Sequence, residues 1–416
     1  MRACLSNLVN CIGRYRIGRY RACAGIIALW WVAGEVWAQS LTITLAGQSM
    51  IRSDLRQSAP QTLAGIRPLL QGDVIFTNLE GAIAEPGQSV AQGRGFLAPP
   101  EVLDALQSLG FNLLALSDNH AFDLGVTGIE NTLRETQQRG IVCAGIGENV
   151  LQAAAPGYLH TAHGTVALVA SASGLIGPTA SATADRPGVN ELRVHAGDQL
   201  NEATEDLPDA AANRPDAMDA SRILRNIREA KHHASLVVVY QHNHVFEHHA
   251  FSTIFTEGMA ERLAPADWLR RWTHAEVDAG ADVVVMHGAP LLHGVEIYHG
   301  RPIFYDLGNF IYNVPPTLTY IEEPMSWESA IATIQFVDGK LVKIQLRPVV
   351  LNENGEGQPD VHSEYTDNQF LDTRGLPAPA LGVRAGYILA RMASLSQAYG
   401  TVMRVHGDTA DIELSH

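Results

Sequence analysis

Cysteine is scarce in this chain: four in 416 residues, three of them (Cys4, Cys11 and Cys23) within the first 23. Once the N-terminal segment is set aside only Cys143 remains, which excludes an intramolecular disulfide framework. Cys143 lies between Val142 and Ala144 in an apolar context and reads as an inert core thiol. Positive charge is also short, with 29 Lys and Arg against 44 Asp and Glu, a net of −15. Binding a phosphate backbone needs clustered Lys and Arg, so a general nucleic-acid binder is excluded. No internal repeat, coiled-coil heptad or low-complexity tract is present, so repeat and filament architectures are set aside. The apolar stretch Ala22–Trp37, interrupted by Glu35, is short of the ~20 residues that span a bilayer.

That stretch has another reading. Arg14, Arg16, Arg19 and Arg21 precede it, and Val36, Trp37 and Ala38 fit the small-x-small rule for cleavage before Gln39. Residues 1–38 are therefore expected to be a cleaved signal peptide rather than a membrane anchor, with the bacterial periplasm or the cell exterior as the address. They carry five Arg and one Glu, so their loss takes the net charge from −15 to −19. So acidic a protein repels anionic polymers at long range, and such a ligand would require a local cationic side chain or a metal ion.

What remains is 46% apolar over the whole chain, enough for a large core without staples. Strand-like and helix-like patterns alternate: strands near 41–47, 73–77, 112–116, 141–146, 165–170 and 236–240, helices near 100–109, 127–138, 221–233 and 265–279. Trp268 and Trp272, four apart on the last of these, have core-packing spacing. A loose segment, about 174–215, carries Arg186 and Asn190. Asp338-Gly339 between two alternating runs marks a hairpin. The tail holds a helix near 385–398 and a strand near Ile412. This order predicts an α/β fold, with one domain over 39–350 and a small C-terminal extension, 351–416, packed on it.

The chemistry sits where apolar strands end. The run Phe111–Leu116 ends in Ser117, Asp118, Asn119 and His120; Val74–Thr77 ends in Asn78 and Glu80; Leu236–Tyr240 ends in His242 and His244. Val283–Met286 ends in His287, and Pro302–Leu307 ends in Gly308 and Asn309. The carboxyl ends of strands in open α/β sheets are where ligands bind. Imidazole, amide and carboxylate groups delivered there suit a divalent metal such as Zn, Mn or Fe. The pairs His232-His233 and His248-His249 read as solvated surface, Gly93–Gly95 reads as a turn, and no nucleophile elbow supports serine catalysis.

Read together, Asp73–Glu80, Ser117–Gly128, Asp278–Val283 and Gly294–Phe310 resemble the CapA family of poly-γ-glutamate capsule synthesis proteins. These are similar to the calcineurin-like metallophosphatase superfamily, and the resemblance runs from about 41 to 350. It implies a four-layer α/β/β/α sandwich with a metal site where strand ends of the two sheets meet. It also implies Glu80, Asn119, His242 and His287 as metal ligands, with His120 facing substrate and Asp123 holding its tautomer. Two positions depart from the family pattern: Gln48 stands where an aspartate is usual, and Pro290 where a histidine is usual. Both belong to one metal position, which points to a single ion, with His244 or His293 as the residues able to restore a second.

The resemblance implies an enzyme: a metal-dependent hydrolase acting on a phosphoester or γ-glutamyl amide through an activated water. Arg186, Asn190 and Asn309 are the expected substrate contacts. Two alternatives stay open. One is a non-catalytic metal-containing protein that binds an anionic polymer; the other is a structural partner of a membrane-bound polymer synthase.

Overall fold

The strand Ser40–Leu45 turns Leu41, Ile43 and Leu45 to one face, and its neighbour Val74–Asn78 sends Val74 and Phe76 the same way and Ile75 the other. This period-two alternation repeats on every central strand and sorts the apolar residues into three separate cores. The computed structural model describes residues 40–90, 95–196, 213–314, 324–357 and 369–414. The expected signal peptide, residues 1–38, lies outside them, as do Gly93 and Arg94 of the expected turn.

Among the described residues, the first sheet has nine strands. Ser40–Leu45, Val74–Asn78, Leu113–Ala115 and Val142–Ala144 run parallel in it. Glu328–Val337 and Lys340–Leu351 continue it as an antiparallel hairpin through the expected Asp338-Gly339 turn. The second sheet has six strands, with Gly164–Ser173, Leu236–Asn243, Val283–His287 and Arg301–Phe304 parallel to one another.

The two sheets stack face to face. Leu41, Phe76 and Leu113 of the first share a core with Leu168, Val238, Tyr240 and Val285 of the second. Helices Glu101–Leu109 and Gly125–Gln138 cover the outer face of the first sheet through Val102, Leu106 and Ile129. Helices Ala217–His233 and Asp267–Ala279 cover the second through Ile223, Ile227, Trp268 and Trp272. The result is the four-layer α/β/β/α sandwich, and the two tryptophans are core. Cys143 is half-buried beside Thr136, and burial pushes its thiol pKa up.

The C-terminal residues enter the same architecture. Met403–His406 and Thr409–Ile412 extend the first sheet, and Pro377–Pro379 pairs with Lys340–Leu351. Helix Gly382–Gln397 places Ala385, Ile388, Leu389 and Met392 in the core between the sheets.

Candidate metal and catalytic site

All the parallel strands end on one side, and their ends carry the polar residues expected there. Tyr240 belongs to the inter-sheet core, so two residues on, His242 faces the same way. His287 is its register partner on the next strand and faces the same side, following Val283 and Val285. Gly288 follows at φ +128°, and a Cβ there would stand 2.2 Å from the carbonyl oxygen of Asn243, so the chain turns away from His287 only with glycine.

His242 Nε2 lies 2.9 Å from Asn119 Oδ1, 3.0 Å from His244 Nε2 and 3.8 Å from Glu80 Oε1. His244 Nε2 is 3.1 Å from Asn119 Oδ1. Three of the four expected ligands, Glu80, Asn119 and His242, thus come together, and His244 joins them. Ligand atoms of Glu80, His242 and His244 lie within 4.8 Å of one another; His287 stands outside that group. His120 Nε2 is 4.0 Å from Glu80 Oε1, and His120 Nδ1 is 2.7 Å from Asp123 Oδ2.

Electrostatics set the protonation states. Burial holds His242 well below its ordinary range and takes His244 and His287 to about 3, so all three imidazoles are neutral near pH 7. Burial also pushes Glu80 up to about 7, with His120 opposing and Asp123 adding to the rise. Burial, then the charge of Glu80, holds Asp118 well above the carboxylate range; its Oδ1 accepts the His120 backbone N–H at 2.9 Å.

Buried polar atoms without a hydrogen-bond partner gather on these same strand ends: Gln48 Oε1, both amide atoms of Asn78, Glu80 Oε2, Asp118 Oδ2 and both ring nitrogens of His287. Such atoms cost free energy unless something satisfies them. A buried carboxylate, neutral imidazoles and an amide oxygen converging on one point fit a divalent cation.

The expected substrate contacts lie differently. Arg186 Nη2 donates to the Ser181 carbonyl at 3.0 Å. Asn190 Nδ2 donates to the Ala170 carbonyl at 2.8 Å, and its Oδ1 accepts from Arg222. Asn309 Oδ1 accepts from Gln48 Nε2 at 2.9 Å, and its Nδ2 donates to the Ser326 carbonyl. Both amides are bonded to the fold itself, while Arg186 Nε is buried without a hydrogen-bond partner. Of the residues named as able to restore a second ion, His293 sends Nε2 to the Arg262 carbonyl.

Sequence reasoning passed over Arg52. Its guanidinium lies 4.1 Å from the Phe96 ring centroid, Phe96 meets the His120 ring edge-on at 6.2 Å, and its charge acts on His120. It also lines a surface cleft of about 810 Å³. No strand-end pattern marks it, because it lies seven residues past the end of the first strand at Leu45.

Residues 42–314 match the model of the family described as bacterial capsule synthesis protein PGA_cap. The chain is 28% identical over 213 residues to the PGA biosynthesis protein CapA of Bacillus subtilis, covering 51% of this chain and 46% of that one. It is 24% identical to the capsule biosynthesis protein CapA of Bacillus anthracis, covering 66% and 60%. A protein of Sinorhizobium fredii, the uncharacterized y4sH, is 27% identical over 90% of this chain and 93% of its own. With about two thirds of its length inside that family model, and CapA proteins among its relatives, the chain belongs to the bacterial capsule synthesis (PGA_cap, CapA) family.

Proposed function

We propose that this protein is an exported accessory of capsule or poly-γ-glutamate synthesis that hydrolyses a phosphoester or a γ-glutamyl amide, using one divalent metal ion. The observation that carries the reading is the His120–Asp123 pair facing the converged Glu80, Asn119 and His242. The last three would hold the ion, which would supply positive charge to acidify a water and to stabilise negative charge developing on the substrate.

The protein's own residues do the rest. Asp123 accepts a hydrogen bond from Nδ1–H of His120, fixing the ring plane and favouring the imidazolium, whose Nε2 carries the exchangeable proton toward the site. His120 then protonates the leaving oxygen or nitrogen. Asp118 holds the His120 backbone and keeps the imidazole in place. The capsule role draws support from family membership and from the names of the Bacillus relatives, a PGA biosynthesis protein and a capsule biosynthesis protein. Export to the periplasm or beyond it is proposed on the signal-peptide pattern of residues 1–38, and a place beside a membrane-bound polymer synthase is the alternative kept with it.

The test is hydrolysis of aryl phosphoesters and γ-glutamyl amides by the purified protein and by His120→Ala, with metal content measured on both. Turnover lowered by roughly 10²–10⁴-fold at unchanged metal content supports the reading. Equal turnover in the two would sink the role of His120. No turnover on either substrate by a metal-loaded parent would leave a polymer-binding protein.

A further inference from the structure

We propose that His242, His244 and Glu80 form the ligand set of the ion, that the Asn119 amide oxygen is an exchangeable fourth donor, and that His287 is not a ligand. This assignment rests on the metal-dependent reading above and names its chemistry: a mononuclear site with two imidazoles and one carboxylate, the donor set of catalytic zinc.

The argument is geometric. Around a tetrahedral zinc with bonds of about 2.0–2.1 Å, donor atoms stand about 3.3 Å apart. The two Nε2 atoms are 3.0 Å apart, Asn119 Oδ1 is 2.9 and 3.1 Å from them, and Glu80 Oε1 is 3.8 Å from His242 Nε2. The outer nitrogen of His242 agrees, whereas Nδ1 of His244 is buried without a hydrogen-bond partner. His242 Nδ1 lies 3.1 Å from the Tyr240 hydroxyl, so a proton on Nδ1 donated to that oxygen leaves the Nε2 lone pair turned inward. The ring of His244 is held edge-on against Phe251, with centroids 4.7 Å apart. Of the four donors, the neutral amide of Asn119 is the one that substrate or water displaces most easily.

The alternative ligand lacks this convergence. His287 is buried on the adjacent strand with both ring nitrogens unpartnered, yet neither lies in the group that unites Glu80, His242 and His244. Gln48 donates its amide to Asn309, and Pro290 has no donor atom, so the lost pair of ligands leaves one ion rather than two.

The deciding experiment is zinc affinity of the purified protein by competition with a chromophoric chelator. His244→Ala is expected to lose at least about 100-fold in affinity, and His287→Ala less than about tenfold, below the usual cost of outer-shell changes. The reverse order would overturn the ligand assignment while leaving the metal-dependent reading intact. A parent that binds no ion overturns both. If His244→Ala fails to fold, cobalt-loaded His244→Cys decides: a thiolate-to-cobalt charge-transfer band requires residue 244 to touch the ion, and its absence overturns the proposal.

Discussion

His120 and Asp123 form a 2.7 Å ion pair in which the same carboxylate oxygen also takes the Phe96 backbone N–H at 2.5 Å. Burial works against the charged imidazole, but the bond and charge of Asp123, then the charge of Glu80, outweigh it and hold His120 above its ordinary value. Asp123→Asn removes the two largest raising effects. The variant is expected to lose roughly 10²-fold or more in kcat, and the alkaline limb of its pH–rate profile should move to lower pH. A profile unmoved by the substitution would show that His120 is not the acid.

Arg52 acts on the same imidazole with the opposite sign. Its Nε donates to the Asn313 carbonyl at 2.9 Å, which anchors the guanidinium at the mouth of the cleft. Arg52→Ala removes that charge. The alkaline limb should move to higher pH. pH–rate profiles of the parent and the variant check this, and an unmoved limb would refute it.

Glu276 gives the protein an internal pH dependence far from this chemistry. It is fully buried on the Asp267–Ala279 helix, with no partner for either carboxyl oxygen. Burial pushes its pKa up to about 8 against the opposing Trp272 indole. The folded state therefore holds a proton that the unfolded chain releases near pH 4.5, so stability falls as pH rises between 4.5 and about 8. The slope for one proton is about 1.4 kcal/mol per pH unit. Glu276→Gln should match the parent near pH 4 and become increasingly more stable toward pH 8. Urea melts at several pH values check this, and a constant difference would refute it.

Leu389 is fully buried between the sheets although it belongs to the C-terminal helix. Leu389→Ala should cost about 2–5 kcal/mol, as deleting a core leucine does elsewhere. A chain ending at residue 350 should fail to melt cooperatively, because it loses this helix and the Met403–Ile412 hairpin. Calorimetry on the truncated chain tests it, and a sharp transition would mean that 351–416 is a detachable extension.

Local periodicity was legible wherever an element lies between two cores or on one of them. The helices at 101–109, 125–138, 217–233 and 267–279 fall within a few residues of their expected spans, and Trp268 and Trp272 are core at helical spacing. Less was visible at edges. The Gly157–Thr161 strand carries few strong apolar residues because only part of its surface is covered. The C-terminal hairpin is largely exposed, so its pattern hardly shows that it completes a sheet.

Strand-end chemistry followed from sequence alone, because a parallel strand delivers whatever residues follow its apolar run to one known edge. By this route Glu80, Asn119, His120 and His242 could be named from the chain. Which of them meet could not, since Asn119 and His242 are 123 residues apart and a difference of one ångström decides who can share an ion. From the sequence, the resemblance pairs His242 with His287 and leaves His244 as a residue able to restore a second ion. Only the stacking of the two sheets brings Asn119 Oδ1 to 2.9 Å and Glu80 Oε1 to 3.8 Å from His242 Nε2. Periodicity reports the face a side chain takes, whereas distances across the sandwich depend on how tightly every residue between the sheets packs.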